Sequence, residues 1–156
     1  MGEQKIINTI NLEGVILSPL KILNLEEGDV FHGMKSIDNG FKGFGEAYFS
    51  SINFGLIKAW KRHHIMTLNL IVPIGEVSFV IYDDRESSAT NGRFQKIILS
   101  KKNYLRLTIP PMLWLGFQGV GTKENILLNI ADIGHNASEA DRKDLNEIKY
   151  NWELIK

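Results

Sequence analysis

The residues best suited to chemistry are concentrated in one short segment, residues 59–67, which reads AWKRHHIMT. Successive side chains of a β-strand point to opposite faces, so Lys61 and His63 would share one face and Trp60, Arg62 and His64 the other. An imidazole, with an ordinary pKa of about 6.5, accepts protons near neutral pH, and a lysine ammonium holds anionic oxygens. The segment therefore predicts a site on one face of a strand. A solvated strand edge guarded by lysine is the alternative.

A second polar group follows an apolar run in the segment YDDRESSAT, residues 82–90. Asp83 and Arg85 stand where the predicted strand gives way to a loop rich in small hydroxyl residues. Strand ends and the loops beyond them are common places for functional side chains. We therefore include both residues in the candidate site.

Two other segments carry candidate contacts to a ligand. Glu46, Tyr48 and Ser50 alternate along the predicted strand GEAYFSSI and would share one face, although simple exposure explains three polar residues equally well. Trp114 follows two prolines in IPPMLWLGF and forms a stiff aromatic corner, which suits either a sugar or base face or a plain core.

Two adjacent histidines also raise the hypothesis of a zinc site. The spacing argues against it, because His63 and His64 would point to opposite faces of the strand and leave one imidazole per face. We expect no metal and no cofactor. The chain contains no P-loop, no GxGxxG and no Gly-x-Ser-x-Gly pattern.

Short apolar runs separated by Gly, Asn, Asp and Pro dominate the chain, and they predict strands of a sandwich or barrel. IVPIGEVSFVIYDD is the clearest hairpin, with its turn at Gly75-Glu76. One segment, residues 138–148, favours a short helix near the C-terminus, with Ser138 as its cap and Asp141 completing an approximate capping box.

Length, charge and cysteine content limit the class of protein. A chain of 156 residues fits one domain, 1–156. Eighteen basic and eighteen acidic residues cancel, which removes the positive field typical of nucleic-acid and anionic-membrane binders. The absence of cysteine excludes disulfides, and no apolar run approaches the roughly 20 residues that span a bilayer. We expect a soluble, cytoplasmic protein without nucleic-acid or membrane partners.

Four segments in order, AWKRHHIMT, IGEVSFVIYDDRESSAT, IPPMLWLGF and LLNIADIGHNASEADR, resemble the dTDP-4-dehydrorhamnose 3,5-epimerase family and related sugar-nucleotide cupins. The resemblance covers about residues 46–152. It implies an all-β, cupin-type double-stranded β-helix, or jelly roll, which is usually a homodimer without a metal. Separately from the resemblance, the apolar N-terminal run VILSPLKIL, within residues 1–30, would suit a strand exchanged between the subunits of a dimer.

The resemblance also implies roles for individual positions. The family's enzymes take a proton beside a keto group with a His held by an Asp, and return one from a Tyr. Asp83 matches the Asp, Lys58 matches an Arg that precedes the catalytic His, and Lys61 stands at the His itself. His63 matches the second histidine of a related Ala-Trp-His-x-His pattern. A further family histidine is Leu115 here, and the tyrosine position falls on Leu128 or Asn129.

These observations lead to one principal hypothesis, epimerisation of a nucleotide-linked keto sugar. His63 would be the base, oriented by Asp83. Lys58, Lys61 and Arg85 would meet anionic oxygens, and Trp60 or Trp114 would face the sugar or base. Two alternatives stay open: a binding or structural cupin that has lost the acid–base residues, and a 3,4-ketoisomerase working through the same enolate.

Overall fold

The computed structural model describes residues 10–152, and within them the chain is built from strands. No helix in this part is long and apolar enough to cross a membrane. The described range holds one 3₁₀ turn, Ala137–Glu139, and twelve strands: β1 Ile16–Pro19, β2 Ile22–Leu23, β3 Val30–Phe31, β4 Glu46–Ser51, β5 Ile57–His63, β6 Leu68–Ile74, β7 Glu76–Tyr82, β8 Phe94–Ser100, β9 Leu105–Ile109, β10 Trp114–Gly119, β11 Ile126–Ala131 and β12 Ala140–Arg142.

The strands form two antiparallel five-stranded sheets with the orders β1-β9-β6-β11-β4 and β12-β5-β10-β7-β8, beside a small β2-β3 ribbon. Alternate side chains of both sheets point inward and build one apolar core, in which Leu70, Phe79, Leu99 and Leu107 are almost fully buried. The all-β prediction is confirmed, and the arrangement is consistent with the expected jelly roll.

The hairpin between β6 and β7 turns at the predicted position. Gly75 has a φ of 78°, in the left-handed region that favours glycine. Asn125 closes the turn, since its side-chain oxygen accepts the backbone N–H of Glu76 at 2.9 Å. A side chain at Gly75 would meet that oxygen, because an added Cβ would lie only 2.3 Å from it.

The predicted helix over residues 138–148 is wrong. Asn136, rather than Ser138, caps the 3₁₀ turn, and its side chain accepts the Ser138 N–H at 3.0 Å. The next residues form β12, which pairs with β5 through Ala140–His63 and Arg142–Lys61. Pairing satisfies backbone groups along the edge of β5, and this tertiary interaction outweighs the helical preference of the segment.

A register shift between β5 and β10 decides which lysines face the core. Lys61 lies opposite Leu115 and Lys58 lies opposite Phe117, and the shift falls between these two pairs. Leu115 and Phe117 both pack on the core. The irregularity therefore brings both lysines to the inner face, whereas strict alternation separates residues 58 and 61.

The N-terminal segment joins its own chain in this structure, because β1 pairs with β9. Residues 1–9 of the segment predicted to exchange between subunits lie outside the described residues. Exchange of the N-terminal strands stays a prediction.

We expect Gly75→Ala to destabilise the fold far more than Gly92→Ala. Both glycines have φ near 80°, so both variants carry a backbone cost of about 1–2 kcal/mol. Only Gly75 lacks room, since a Cβ at Gly92 meets nothing within 4 Å. The loss at Gly75 should reach about 3 kcal/mol or more once the overpacking is included. Urea denaturation measures both free energies of unfolding, and equal losses would contradict the proposed close packing at the turn.

Candidate functional site

A cavity of about 820 Å³ opens between the two sheets. The second sheet contributes Lys58, Lys61 and His63 from β5, and the first contributes Tyr48 and Ser50 from β4. The remaining wall combines apolar side chains, Asn129, the end of β12 and the segment that follows it: Ala59, Trp60, Leu68, Leu70, Leu115, Phe117, Leu127, Asn129, Arg142, Lys143, Asp144 and Glu147. Polar groups thus converge on an apolar pocket from both sheets, which is the usual form of a small-molecule site.

His63 is paired with a buried carboxylate, Glu139. The ring nitrogen Nδ1 contacts Glu139 Oε1, and both side chains are buried. The second carboxylate oxygen accepts the backbone N–H groups of Ile65 and Met66, each at 3.2 Å. An ionised carboxylate only accepts hydrogen bonds, so Nδ1 carries the proton and Nε2 keeps its lone pair.

Burial and charge set the protonation states of this pair. Burial lowers the pKa of His63, and the nearby Lys61 lowers it further, although Glu139 pulls it upward. Burial raises the pKa of Glu139. The hydrogen bonds from His63, Ile65 and Met66 outweigh this effect and hold the pKa of Glu139 below its ordinary value. A neutral imidazole beside an ionised carboxylate is suited to accept a proton at neutral pH.

Lys61 lies on the same face of β5 as His63, two residues earlier. Burial lowers the pKa of its ammonium and Arg142 adds to the effect, against an opposing pull from Glu139 and Glu46. Among residues 10–152, Lys61 Nζ has no hydrogen-bond or ion-pair partner; its interactions with these charged groups act at longer range.

Tyr48 faces the cavity from the other sheet. It lies opposite Asn129 in the β4–β11 pair, and Asn129 Nδ2 donates to the Tyr48 hydroxyl at 3.1 Å. The orientation of that amide is fixed, because its oxygen accepts the backbone N–H of Asn69 at 3.2 Å. The Tyr48 oxygen is therefore an acceptor toward Asn129, which leaves its own proton available to donate elsewhere.

The opposite face of β5 belongs to a separate network. Arg62 donates to Asp141 at 2.7 Å and to Asp84 at 3.2 Å, and its guanidinium lies 4.6 Å from the centroid of the Trp114 ring. His64 Nε2 lies 2.9 Å from the same Asp141. The predicted division of residues 60–64 between two faces is confirmed, and the outer face ties β5 to β12.

The predicted pairing of His63 with Asp83 is wrong. Asp83 is fully buried and accepts hydrogen bonds from Arg85, Ser88 and Thr90. Burial favours the neutral acid, but these donors outweigh it and hold the pKa of Asp83 far below its ordinary value. Asp83 and Arg85 therefore neutralise each other and fold the loop after β7. Neither residue lines the cavity.

The prediction that Trp60 or Trp114 faces a sugar or base also needs correction. Trp60 and Trp114 are 2% and 1% exposed and pack with Ile148 on the outer side of the second sheet. Their indole N–H groups donate within the protein, to Leu145 O and Asp84 Oδ2. Trp60 borders the cavity but its ring packs on Trp152, and Trp114 does not line it. Large apolar rings were buried in the core rather than offered to a ligand.

Glu46 does not line the cavity, although its charge acts on Lys61. Sequence reasoning missed Glu139, Arg142 and the amide of Asn129. Glu139 contacts His63 across 76 residues of sequence, so no local spacing reveals the pair. Within the described range, no three His, Cys, Asp or Glu side chains are grouped to hold a metal ion.

Glu139→Gln should lower the pKa of His63, because it removes the carboxylate that favours the imidazolium. Asp83→Asn, at the position first expected to pair with His63, should leave that pKa unchanged. NMR titration of the imidazole protons measures both values. A shift of equal size in Asp83→Asn would contradict the assignment of Glu139 as the partner.

Comparison with known proteins gives a consistent set of relatives. No family model matches the chain. A "probable low-salt glycan biosynthesis epimerase", Agl13 of Haloferax volcanii, is 32% identical over 84 residues, and this alignment spans 53% of the present chain and about half (54%) of Agl13.

Solved structures match over much more of the chain. A dTDP sugar isomerase from Desulfovibrio desulfuricans G20 is 39% identical with a TM-score of 0.84, covering 88% of this chain and 90% of the isomerase. The dTDP-4-dehydrorhamnose 3,5-epimerase of Elizabethkingia anophelis shares the fold, with a TM-score of 0.79 at 18% identity over 95% of this chain and 86% of that one. Since the first match combines substantial identity with nearly full coverage of both proteins, the chain belongs to the family of this dTDP sugar isomerase, and it shares its fold with the dTDP-4-dehydrorhamnose 3,5-epimerases.

Proposed function

We propose that the protein is a nucleotide-sugar epimerase that moves a proton at a carbon beside a keto group. The observation that carries the proposal is the pair of His63 and Glu139 on one wall of the cavity, with the Tyr48 hydroxyl on the other. One group removes a proton and the other returns it. The names of the relatives, an epimerase of glycan biosynthesis and an isomerase of dTDP sugars, support this reaction class.

His63 is the proposed base. Glu139 holds the proton on Nδ1 and leaves Nε2 free to accept a proton from the carbon beside the carbonyl. The ionised Glu139 also stabilises the imidazolium that forms when the proton arrives. Since burial lowers the pKa of His63, the base stays unprotonated to a lower pH than an exposed histidine.

The carbonyl oxygen gains negative charge as the carbon loses its proton, and the positive groups of the cavity oppose this charge. Lys61 and Arg142 stand on neighbouring strands, paired across β5 and β12. Lys58 lies on the same inner face, where its ammonium donates to the Ser51 carbonyl at 2.9 Å. Lys58 and Arg142 are both exposed, which suits them to a diphosphate at the mouth of the cavity.

Tyr48 is the proposed proton donor to the opposite face of the sugar. Facing sheets of a sandwich lie about 10 Å apart, which accommodates a sugar ring between a base on one sheet and an acid on the other. Removal of a proton from one side and its return on the other inverts the carbon. Leu128 and Asn129 stand at the family's tyrosine position and cannot donate this proton. Tyr48 takes over the role of proton donor.

The full proposal places the protein in glycan or polysaccharide biosynthesis in the cytoplasm, as a homodimer that uses neither metal nor cofactor. Its substrate is a dTDP-4-keto-6-deoxyhexose or a close analogue. A binding protein without activity is the weaker reading, because the buried pair of His63 and Glu139 is intact.

A ketoisomerase is the second candidate, favoured by the word isomerase in the name of the relative that is 39% identical. Both reactions begin with removal of the same proton by His63. They differ in the atom that receives the returning proton, so identification of the product separates them.

Solvent deuterium should enter the substrate at a carbon beside the carbonyl when the protein is incubated with dTDP-4-keto-6-deoxyglucose in D₂O. Proton NMR follows the loss of the ring-proton signal. His63→Asn should slow this exchange about 10²–10⁴-fold, the usual contribution of a general base. If several nucleotide 4-keto sugars show no exchange with the wild-type protein, the proposed function is incorrect.

Tyr48→Phe should separate exchange from inversion. The variant keeps the base, so deuterium still enters the substrate, but epimerised product should fall about 10²-fold or more without the acid. Tyr104→Phe is the matched control, since the Tyr104 hydroxyl donates to the His32 carbonyl and Tyr104 does not line the cavity. Equal loss of exchange and inversion in Tyr48→Phe would remove Tyr48 from the role of acid.

A further inference from the structure

Lys61 differs from the other amines of the site because its Nζ has no hydrogen-bond or ring contact among residues 10–152. Lys58 Nζ donates to the Ser51 carbonyl. Lys143 also borders the cavity, and its Nζ lies 4.8 Å from the centroid of the Trp114 ring. Lys61 Nζ has no comparable partner in the described part of the chain. A half-buried amine without a partner costs stability, so its retention here needs an explanation in the chemistry of the cavity.

Its surroundings lower the pKa of the Lys61 ammonium, which increases the share of the neutral, nucleophilic amine. Burial is the largest cause of the lowered pKa of Lys61, and the guanidinium of Arg142 is the next. Glu139 and Glu46 act in the opposite direction, but Glu139 is already engaged by His63 and two backbone N–H groups.

An acid–base group lies within reach of the amine. Lys61 and His63 occupy the same face of β5, so their Cβ atoms are separated by about 6–7 Å along the strand. One substrate carbon can then lie near Lys61 Nζ while its neighbour lies near His63 Nε2. This is the geometry that a carbonyl carbon and the adjacent C–H require.

We propose that Lys61 is a covalent catalyst, whose amine condenses with the substrate's keto carbon to form an imine from which His63 removes the neighbouring proton. The inference rests on the proposed keto-sugar substrate. It replaces the role of Lys61 as a cation beside the carbonyl oxygen, because the nitrogen of the C=N bond then takes the place of that oxygen when His63 removes the proton. It identifies the ligand class of this position as a carbonyl compound rather than an anion.

Formation and hydrolysis of the imine require neither an oxidant nor a reductant. The lone pair of the neutral amine attacks the carbonyl carbon, and the oxygen takes up the two amine protons and leaves as water. The neutral C=N nitrogen that remains then takes up one further proton from solvent, which gives the protonated imine. His63 Nε2 then accepts the adjacent C–H proton, and the C–H electrons form an enamine C=C bond. After a proton returns to carbon, water adds to the C=N bond and releases Lys61 and the ketone.

Reductive trapping tests the inference directly. The protein is incubated with dTDP-4-keto-6-deoxyglucose and cyanoborohydride, which reduces the protonated imine to a stable secondary amine. Intact mass spectrometry should show one adduct, equal in mass to the substrate minus water plus two hydrogens. Peptide mapping should place it on Lys61. Labelling that falls instead on Lys58 or Lys143 would overturn the inference.

Matched variants separate covalent catalysis from simple charge. Lys61→Arg keeps the positive charge but cannot form the imine, so it should lose the adduct and at least 10²-fold in solvent exchange, as should Lys61→Gln. Lys102→Arg, at an exposed turn, should keep both. Retention of exchange in Lys61→Arg within about threefold would show that Lys61 acts only as a cation.

The two proposals can fail separately. Exchange in the wild-type protein without any trapped adduct overturns the imine and leaves the epimerase proposal standing. The absence of exchange in the wild-type protein overturns the epimerase proposal, and the imine inference falls with it. Thermal unfolding of each variant verifies that the fold is retained.

Discussion

The candidate site depends on the pairing of β12 with the edge of β5. This pairing aligns Ala140 with His63 and Arg142 with Lys61, and it brings Glu139, the residue immediately before β12, into contact with the His63 ring. The outer face secures the same junction, because Arg62 binds Asp141 of β12 and Asp84 beyond β7. The pairing of β12 with β5 thus positions a carboxylate, an imidazole, an amine and a guanidinium close together at the cavity.

Local sequence patterns predicted the parts of the molecule that local physics determines. Alternation of apolar and polar residues gave the strands and the division of residues 60–64 between two faces, because a strand's period of two is independent of its partners. The turn at Gly75 was equally predictable, since glycine at a positive φ is a local requirement. The resemblance to sugar-nucleotide cupins added the architecture.

Contacts between distant segments were not accessible in this way. Asp83 and Glu139 are both acidic residues in polar segments that follow apolar strands, and nothing in their neighbours shows which of them meets His63. The structure decides through burial: Asp83 is enclosed by the donors of its own loop, whereas Glu139 reaches β5 through an edge strand that resembled a helix in sequence. Burial also determines the positions of Trp60 and Trp114, since their exposed fractions of 2% and 1% leave no ring face for a ligand.

The two walls of the cavity belong to different sheets, so the distance between them depends on how the sheets pack. The side chains packed between the sheets set the distance from His63 to Tyr48, among them Phe79 and Leu107, which lie in the core and do not line the cavity. The volume of the core therefore sets the width of the cavity. Changes in its volume alter which ring sizes and substituents fit between the two groups, so substrate choice can drift through residues that never touch the substrate.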